Sequence, residues 1–518
     1  MHEEQLWQEH DGYIVLPRNS NQARGLGRYA LQFLAGRWPA PEASVFERLE
    51  LFHLDSVACA VAALGVGAPA PTLLRREALR YVTSDGARCF GSRQPVVAEK
   101  AVVANCAAVR ELDANGTNFG YNPRRRKGEG EFGHNDFYPV AVAAAQQAGC
   151  DGRTLARAML CLDEIRGRLA EAFALRRYKI DHVLHGAIAS TVIYAALQGG
   201  TEEQIESAIG LVVAHYVPFR AIRSGQELSD SKGASAALAA ETAVMAARRA
   251  LAGFRGPADI FRNRQAVFCL FEPPSDPHCS PFDLELATSG DAFAITNMHI
   301  KLGIYEHQSA AALDALLQLL QRLPHLPRSP EEVSSMEITL YEPALSIIAD
   351  PAKRNPRNRQ SADHSMYYLV ATLLRKVIEQ LSASWQDVLL MPQDFDDPAL
   401  YHPVTRQLMD KITVLHGGPQ FDQLYPEGIP TAVRIRFRDG SHCDSGIVLH
   451  PLGHAQNQQG AFLQVWHRKV ERFAQLAGCS WNDIRNHVGA VIEKSPAEVQ
   501  LLYSFDIPAL ADHNAASE

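Results

Sequence analysis

Polar side chains that can transfer protons stand in two neighbouring loop-like stretches of the first half of the chain. Asp113 and Thr117 lie in the first stretch, and Gly133-His134 stands in the second, just before a predicted helix. A carboxylate, a hydroxyl and an imidazole are groups that proteins use for acid–base catalysis and for binding small polar substrates. Helix capping by Asp113 and Asp136 explains the same residues without any chemistry.

Two further polar clusters lie downstream of these stretches. His182 and His185 are three residues apart, so both can lie on one helical face, either as metal ligands or as hydrogen-bonded core histidines. Lys232 precedes Gly233 at the start of an Ala-rich stretch, where an ammonium group and backbone amides can together bind an anion. The alternative for Lys232 is an exposed lysine in a capped turn, and the G-x-x-x-x-G-K pattern of a P-loop is absent.

Three later features could contribute to the same chemistry. Lys301 follows residues 298–300 at the end of a predicted strand. The sequence Asp363-His364-Ser365 precedes a predicted helix. Asp363 or Ser365 could simply cap this helix. The basic run at 124–127 is predicted to be a solvated loop tip, with the admission of an anionic substrate as the alternative.

Charge and composition narrow the class of protein. The 518 residues carry a net charge of −8, and 47% of them are hydrophobic, which is typical of a globular chain with a large core and no electrostatic reason to bind nucleic acid. No apolar run of about 18 residues is present, which predicts no membrane span. Residues 1–5 lack the features of a secretory signal or a mitochondrial presequence, so a cytoplasmic location is expected.

The nine cysteines are scattered, and no C-x-x-C pair is present. This spacing predicts reduced, mostly buried thiols and gives no support to a zinc or iron–sulfur site. We therefore expect chemistry without a metal or cofactor.

The predicted elements define a mainly α fold with a smaller α+β domain. Apolar, Ala-rich patterns predict helices at 46–64, 138–148, 155–175, 187–197 and 235–251. After a proline-rich linker near 273–281, strands are predicted at 336–340 and 433–438, and helices at 308–322 and 366–381. Further helices follow at 461–477 and 481–493. We predict a helical domain formed by residues 1–274 and 446–518, and an α+β lid domain formed by residues 275–445.

The order of these motifs resembles that of the MmgE/PrpD family over about residues 45–500. The resemblance rests on L-D-A-N-G-T at 112–117, G-H at 133–134, S-D-S-K at 229–232, Lys301 upstream of L-D-A-L at 313–316, and A-D-H-S at 362–365. No single motif is decisive, and the resemblance lies in their common order and spacing.

The resemblance implies a hydro-lyase that dehydrates a small tricarboxylate, 2-methylcitrate or citrate, in a site between a helical domain and a lid. It also implies a homodimer. The long N-G-T-x-F-G-Y-N form resembles dehydratases of the fungal type more than the decarboxylases or isomerases of the family, which stay as alternatives beside a non-catalytic binding protein. The site residues carried over are Asp113, Thr117, His134, His182 (or His185), Lys232, Lys301 and Tyr341.

The family pattern also assigns roles and shows departures. Lys232 and Lys301 would bind substrate carboxylates, the histidines would act as acid and base, Asp113 would orient a histidine or act as base, and Thr117 would bind a carboxylate or hydroxyl. Gly116 replaces an aspartate common in relatives, Ala310 stands where a histidine is frequent with His307 close by, and an insertion occupies 119–131.

Overall fold

The computed structural model describes residues 6–123, 127–128, 133–225, 227–458 and 460–511. The predictions for residues 1–5 and for the basic run at 124–127 fall outside these residues, apart from the backbone of Lys127. The first half of the chain is helical. Its helices are α1 (Gln22–Leu34), α2 (Ala43–Gly65), α3 (Pro69–Ala78), α4 (Ala98–Arg110), α5 (Tyr138–Ala148), α6 (Gly152–Ala172), α7 (Val183–Leu197), α8 (Glu202–His215), α9 (Asp230–Gly233), α10 (Ser235–Leu251) and α11 (Val267–Phe271).

The second half alternates short helices with strands. Its helices are α12 (Ala310–Gln321), α13 (Ala344–Ile348), α14 (Arg359–Ala362), α15 (Met366–Gln380), α16 (Trp385–Val388), α17 (Asp397–Leu400), α18 (Pro403–Met409), α19 (Pro419–Asp422), α20 (Ala461–Leu476), α21 (Trp481–Val488) and α22 (Pro496–Gln500). The strands of the whole chain are β1 (Gln8–His10), β2 (Tyr13–Leu16), β3 (Val82–Arg88), β4 (Pro95–Val96), β5 (Tyr121–Asn122), β6 (Lys127–Gly128), β7 (Leu284–Ala287), β8 (Val333–Leu340), β9 (Ile412–His416), β10 (Thr431–Phe437) and β11 (His442–Val448).

Alanine-rich faces bring the central helices close together. Helix α10 packs on α4 and α7, and α4 also packs on α2. The C-terminal half of α2 is buried on every side, because small side chains let neighbouring backbones approach. Helix α20 packs against α2, so the end of the chain returns to the helical region. The predicted mainly α fold with a smaller α+β region is confirmed.

The α+β region is built on one four-stranded sheet in the order β11-β10-β8-β9. Strand β8 pairs parallel with β9 and antiparallel with β10, with Met336 opposite Ile412 on one side and Ile435 on the other. Helix α12 packs on β10 and β11 and also contacts α15. Alternate residues of β8 point into this core, which is the period of two that its sequence shows.

Two details differ from the sequence expectations. The residues before Lys301 form an isolated bridge between Thr117 and His299 instead of a strand, because only one residue pair meets there. Strand β7, which the sequence analysis placed in the lid domain, pairs with β2 at the N-terminal end of the chain. The domain boundaries proposed from the sequence stay a prediction.

Among the described residues, no single helix is long and apolar enough to cross a membrane, and α2 and α3 reach that length only together, across a 95° bend. The nine cysteines are unpaired, and six of them are buried.

Candidate active site

Asp113 lies in the turn that follows α4, in a left-handed backbone conformation with φ of 51°. Its carboxylate forms ion pairs with Arg110 and Lys301, and its Oδ2 lies 3.4 Å from Lys232 Nζ. Lys301 Nζ also donates to the Asp113 carbonyl at 2.8 Å. Burial alone raises the pKa of Asp113, but the three cations together lower it well below its usual range. Asp113 is therefore a fixed anion that gathers cations from three parts of the chain.

A carboxylate–imidazole pair lies beside this cluster, in the turn between α14 and α15. His364 Nδ1 lies 2.7 Å from Asp363 Oδ1 and 3.3 Å from Asp113 Oδ2. Lys232 Nζ donates to the same Asp363 oxygen at 2.5 Å. Burial lowers the pKa of His364 to about 3, so the ring is neutral. With its proton on Nδ1 between two carboxylates, the ring keeps a lone pair on Nε2.

Of these groups, Asp113, Arg110, Lys301 and His364 line the wall of a cavity of about 740 Å³. The ring of His364 and the side chains of Arg110 and Thr117 belong to this wall. The ionisable residues that line the cavity are Arg110, Asp113, Arg176, Arg177, Lys179, His182, Arg220, Arg223, Lys301, Glu306, His307, Glu342, Asp350, Lys353 and His364. Cations exceed carboxylates on this wall, so the cavity suits an anionic ligand.

Two more imidazoles face the cavity. His182 precedes α7, and its Nε2 lies 3.2 Å from Arg223 while its Nδ1 lies 3.4 Å from Arg166. His307 occupies the short turn before α12, and neither of its ring nitrogens has a hydrogen-bond partner among the described residues. Burial lowers the pKa of both rings well below the ordinary value. Both rings are therefore neutral.

The structure brings four of the seven predicted residues to the cavity wall, namely Asp113, Thr117, His182 and Lys301. His182 lines the cavity and His185 does not, which favours His182 where the sequence left two choices. Thr117 is held through its backbone by His299 and accepts a hydrogen bond from the Gly133 amide at 3.3 Å.

The other three predicted residues lie behind the wall. His134 is fully buried, with Nε2 2.9 Å from Asp163, whose other oxygen accepts from the Tyr138 hydroxyl at 2.6 Å. Lys232 contacts the carboxylates of Asp113 and Asp363 and does not line the cavity. The hydroxyl of Tyr341 donates to Gln308. These residues support the wall and do not form it.

Several residues that line the cavity were not predicted from the sequence. Arg110 is a buried arginine at the end of an Ala-rich helix, directly before the Asp113 turn, and its position was the available signal. His307 lies three residues before Ala310, the position at which the family pattern predicts a histidine. Glu306 and Lys353 gave no signal, since a single charged residue beside apolar ones is common on protein surfaces.

One trio has metal-ligand geometry. Ligand atoms of Asp113, Asp363 and His364 lie within 4.8 Å of one another. The ammonium groups of Lys232 and Lys301 already contact these carboxylates and occupy the place of a bound cation. This donor set does not suit a metal ion.

Comparison with known proteins shows the family of the chain. Models of the MmgE/PrpD N-terminal and C-terminal domains match residues 26–280 and 305–474. The 2-methylcitrate dehydratases of Salmonella typhi and Escherichia coli K12 are 26% and 25% identical over 417 and 418 residues, which cover 78% of this chain and 81% of each relative. A fungal alkylcitrate dehydratase is 23% identical over 440 residues, covering 80% of this chain and 81% of its own. The chain therefore belongs to the MmgE/PrpD family.

Proposed function

We propose that the protein removes water from 2-methylcitrate to give 2-methyl-cis-aconitate, without a metal ion or cofactor. The observation that supports this most directly is the meeting of Asp113-bound cations with neutral imidazoles on one cavity wall. A tricarboxylate needs cations to bind it, and the elimination needs a base that is unprotonated at neutral pH. The names of the similar dehydratases point to the same reaction.

The cationic and the neutral residues of the cavity wall have different roles. Arg110, Lys301 and Arg223 bind the carboxylates and stabilise the negative charge that develops next to them as the C–H bond breaks. His364 removes the proton through Nε2, because Asp363 fixes the ring and stabilises the imidazolium that forms. A proton must then reach the tertiary hydroxyl, since hydroxide is a poor leaving group.

The test is an assay of metal-free protein with 2-methylcitrate in the presence of EDTA, followed by the ultraviolet absorbance of the new conjugated double bond. We expect a rise that saturates with substrate and a slower rise with citrate. The methyl group should change selectivity by about 1–3 kcal/mol. If no stereoisomer gives a rise in absorbance, the proposed dehydration is wrong. Release of carbon dioxide from cis-aconitate would then identify a decarboxylase.

The proposal includes a homodimer, as the family resemblance implies, and a cytoplasmic location. Light scattering of the purified chain tests the assembly directly. A mass of one chain at micromolar concentration would contradict the dimer and leave the proposed chemistry intact.

A further inference from the structure

Glu306 stands in the chain between Lys301 and the start of α12. It is 7% exposed and lines the cavity wall. Its backbone amide donates to the Asp363 carbonyl at 2.8 Å, and its carbonyl accepts from the Ser309 hydroxyl at 2.6 Å. The Gln308 amide donates to Glu306 Oε2 at 2.7 Å. Two of these bonds therefore fix the backbone of Glu306, and the third fixes its carboxyl group.

This carboxyl group differs from Asp113 in its partners. Asp113 forms ion pairs with Arg110, Lys232 and Lys301. Within the described part of the chain, Glu306 makes no ion pair shorter than 4.0 Å. A buried carboxyl without a cation in contact holds its proton more tightly than one inside a cation cluster. The cavity thus contains two carboxyl groups in opposite environments.

The charged and titratable groups around Glu306 come from four segments. Burial raises its pKa first, and the nearby Asp113 carboxylate raises it further. Lys301 and Lys353 lower it, and the phenol of Tyr341 lies close by. The result is a pKa of about 7, so a large fraction of Glu306 carries a proton at neutral pH.

We propose that Glu306 is the general acid that protonates the departing hydroxyl group. The inference rests on the proposed dehydration. Two carboxyl groups whose environments separate their pKa values commonly divide into an acid and a fixed anion. Here Asp113 is the anion, and Glu306 is the group with a proton to give.

The proton balance closes over one turnover. His364 takes the proton from carbon, the C–H electron pair forms the C=C bond, and the C–O bond breaks as the Glu306 proton joins the leaving oxygen. Water leaves, Glu306 becomes a carboxylate, and His364 is left as imidazolium. Exchange with solvent through the open cavity returns both groups to their starting states.

The alternative is that Glu306 only caps the turn before α12. Glu306→Gln keeps the acceptor for the Gln308 amide and the shape of the side chain, and it removes only the acidic proton. Asp396→Asn is the matched control, because Asp396 also caps a short helix through a backbone amide but lies outside the cavity wall.

We expect Glu306→Gln to lower kcat roughly 10²–10⁴-fold and Asp396→Asn to leave it nearly unchanged. In the wild type, kcat/KM should fall as pH rises through about 7, and this limb should be missing from the residual activity of Glu306→Gln. A folded Glu306→Gln protein with near-normal kcat and an unchanged pH profile would overturn the proposal while leaving dehydration standing.

A second measurement does not depend on turnover. Between about pH 4.5 and 7, Glu306 should hold a proton in the native state that it loses in the unfolded state, because its pKa is raised on folding. Wild type should therefore lose melting temperature relative to Glu306→Gln as pH rises through that window. A difference that does not vary with pH would show an ionised Glu306 and overturn the proposal, whether or not 2-methylcitrate is the substrate.

Discussion

At the level of single residues, the site is organised by charge pairing around Asp113. The sequence left Asp113 either as a base or as a residue that orients a histidine. The cations of Arg110, Lys232 and Lys301 surround its carboxylate, so its oxygens are already engaged. Its contact of 3.3 Å with His364 Nδ1 instead helps to orient that ring. The geometry therefore favours an orienting role for Asp113 and an imidazole as the group that removes the proton.

We predict that His364→Asn lowers kcat about 10²–10⁴-fold, because the ring held by Asp363 is lost as the base. His182→Asn should lower kcat less, since that ring already contacts two arginines. Steady-state kinetics of both variants measure the difference, with His467→Asn on an exposed face of α20 as the control. A larger loss in His182→Asn would reverse the assignment of the base.

Gly116 marks a packing constraint next to the site. A Cβ atom at this position would lie 2.8 Å from His134 Nδ1 and 2.8 Å from the Phe52 ring. The two rings already meet edge to face, with centroids 4.2 Å apart, so neither has room to move. Local packing therefore explains why glycine stands at position 116 in place of the aspartate of the family pattern. This difference does not by itself indicate an inactive protein.

We expect Gly116→Asp to destabilise the protein by about 1–3 kcal/mol, because overpacking forces side chains from their preferred rotamers. Thermal unfolding followed by circular dichroism measures the change. An unaltered melting temperature would show that His134 and Phe52 can rearrange.

At the level of elements, sequence periodicity located the helices well where one pattern persists. Helices α5 and α10 begin and end at the predicted residues, and α2 and α15 differ from prediction by at most three residues at either end. Long apolar patterns dominate local preferences, so their elements can be predicted. The strand expected before Lys301 was wrong, because one bridge to Thr117 replaces a ladder that only tertiary contacts determine.

The site could be predicted only in part for the same reason. Motifs in the sequence identified Asp113, Lys301 and His182, because each stands in a recognisable local pattern. The pairing of Asp113 with Lys301 joins residues 188 positions apart, and no local pattern encodes such a contact. Residues such as Glu306 acquire their chemistry from burial, which a single sequence does not display.

Lys469 of α20 fixes the relative position of three elements. Its fully buried Nζ donates to Asp55 Oδ1 at 2.6 Å, to the Ala114 carbonyl at 2.7 Å and to the Lys301 carbonyl at 2.8 Å. The ammonium group therefore connects α2, the Asp113 turn and the Lys301 segment.

We predict that Lys469→Met destabilises the protein by about 3–5 kcal/mol, since Asp55 would keep a buried charge without its partner. Guanidinium unfolding measures this change. Arg434→Met removes an exposed ion pair with Asp444 and should cost at most about 1 kcal/mol. Equal midpoints for the two variants would contradict the role given to Lys469.

At the level of the whole molecule, the charge of the cavity opposes the charge of the chain. The chain carries −8, yet eight lysine and arginine side chains and four carboxyl side chains line the cavity. Arg176, Arg177 and Lys179 lie on one turn of this wall, and Arg220 and Arg223 lie on another. A basic opening in an acidic protein concentrates anions at the site.

We therefore predict that kcat/KM for 2-methylcitrate falls as ionic strength rises from about 0.01 to about 0.15 M, where the screening length falls from about 30 to about 8 Å. The value of kcat should change little, because the buried ion pairs around Asp113 are screened far less. Arg177→Glu with Lys179→Glu should lower kcat/KM roughly tenfold and weaken its salt dependence. Arg436→Glu with Arg438→Glu makes the same change in net charge on β10 and its following turn, outside the cavity. Equal losses in the two double variants would mean that net charge, and not the cavity opening, attracts the substrate.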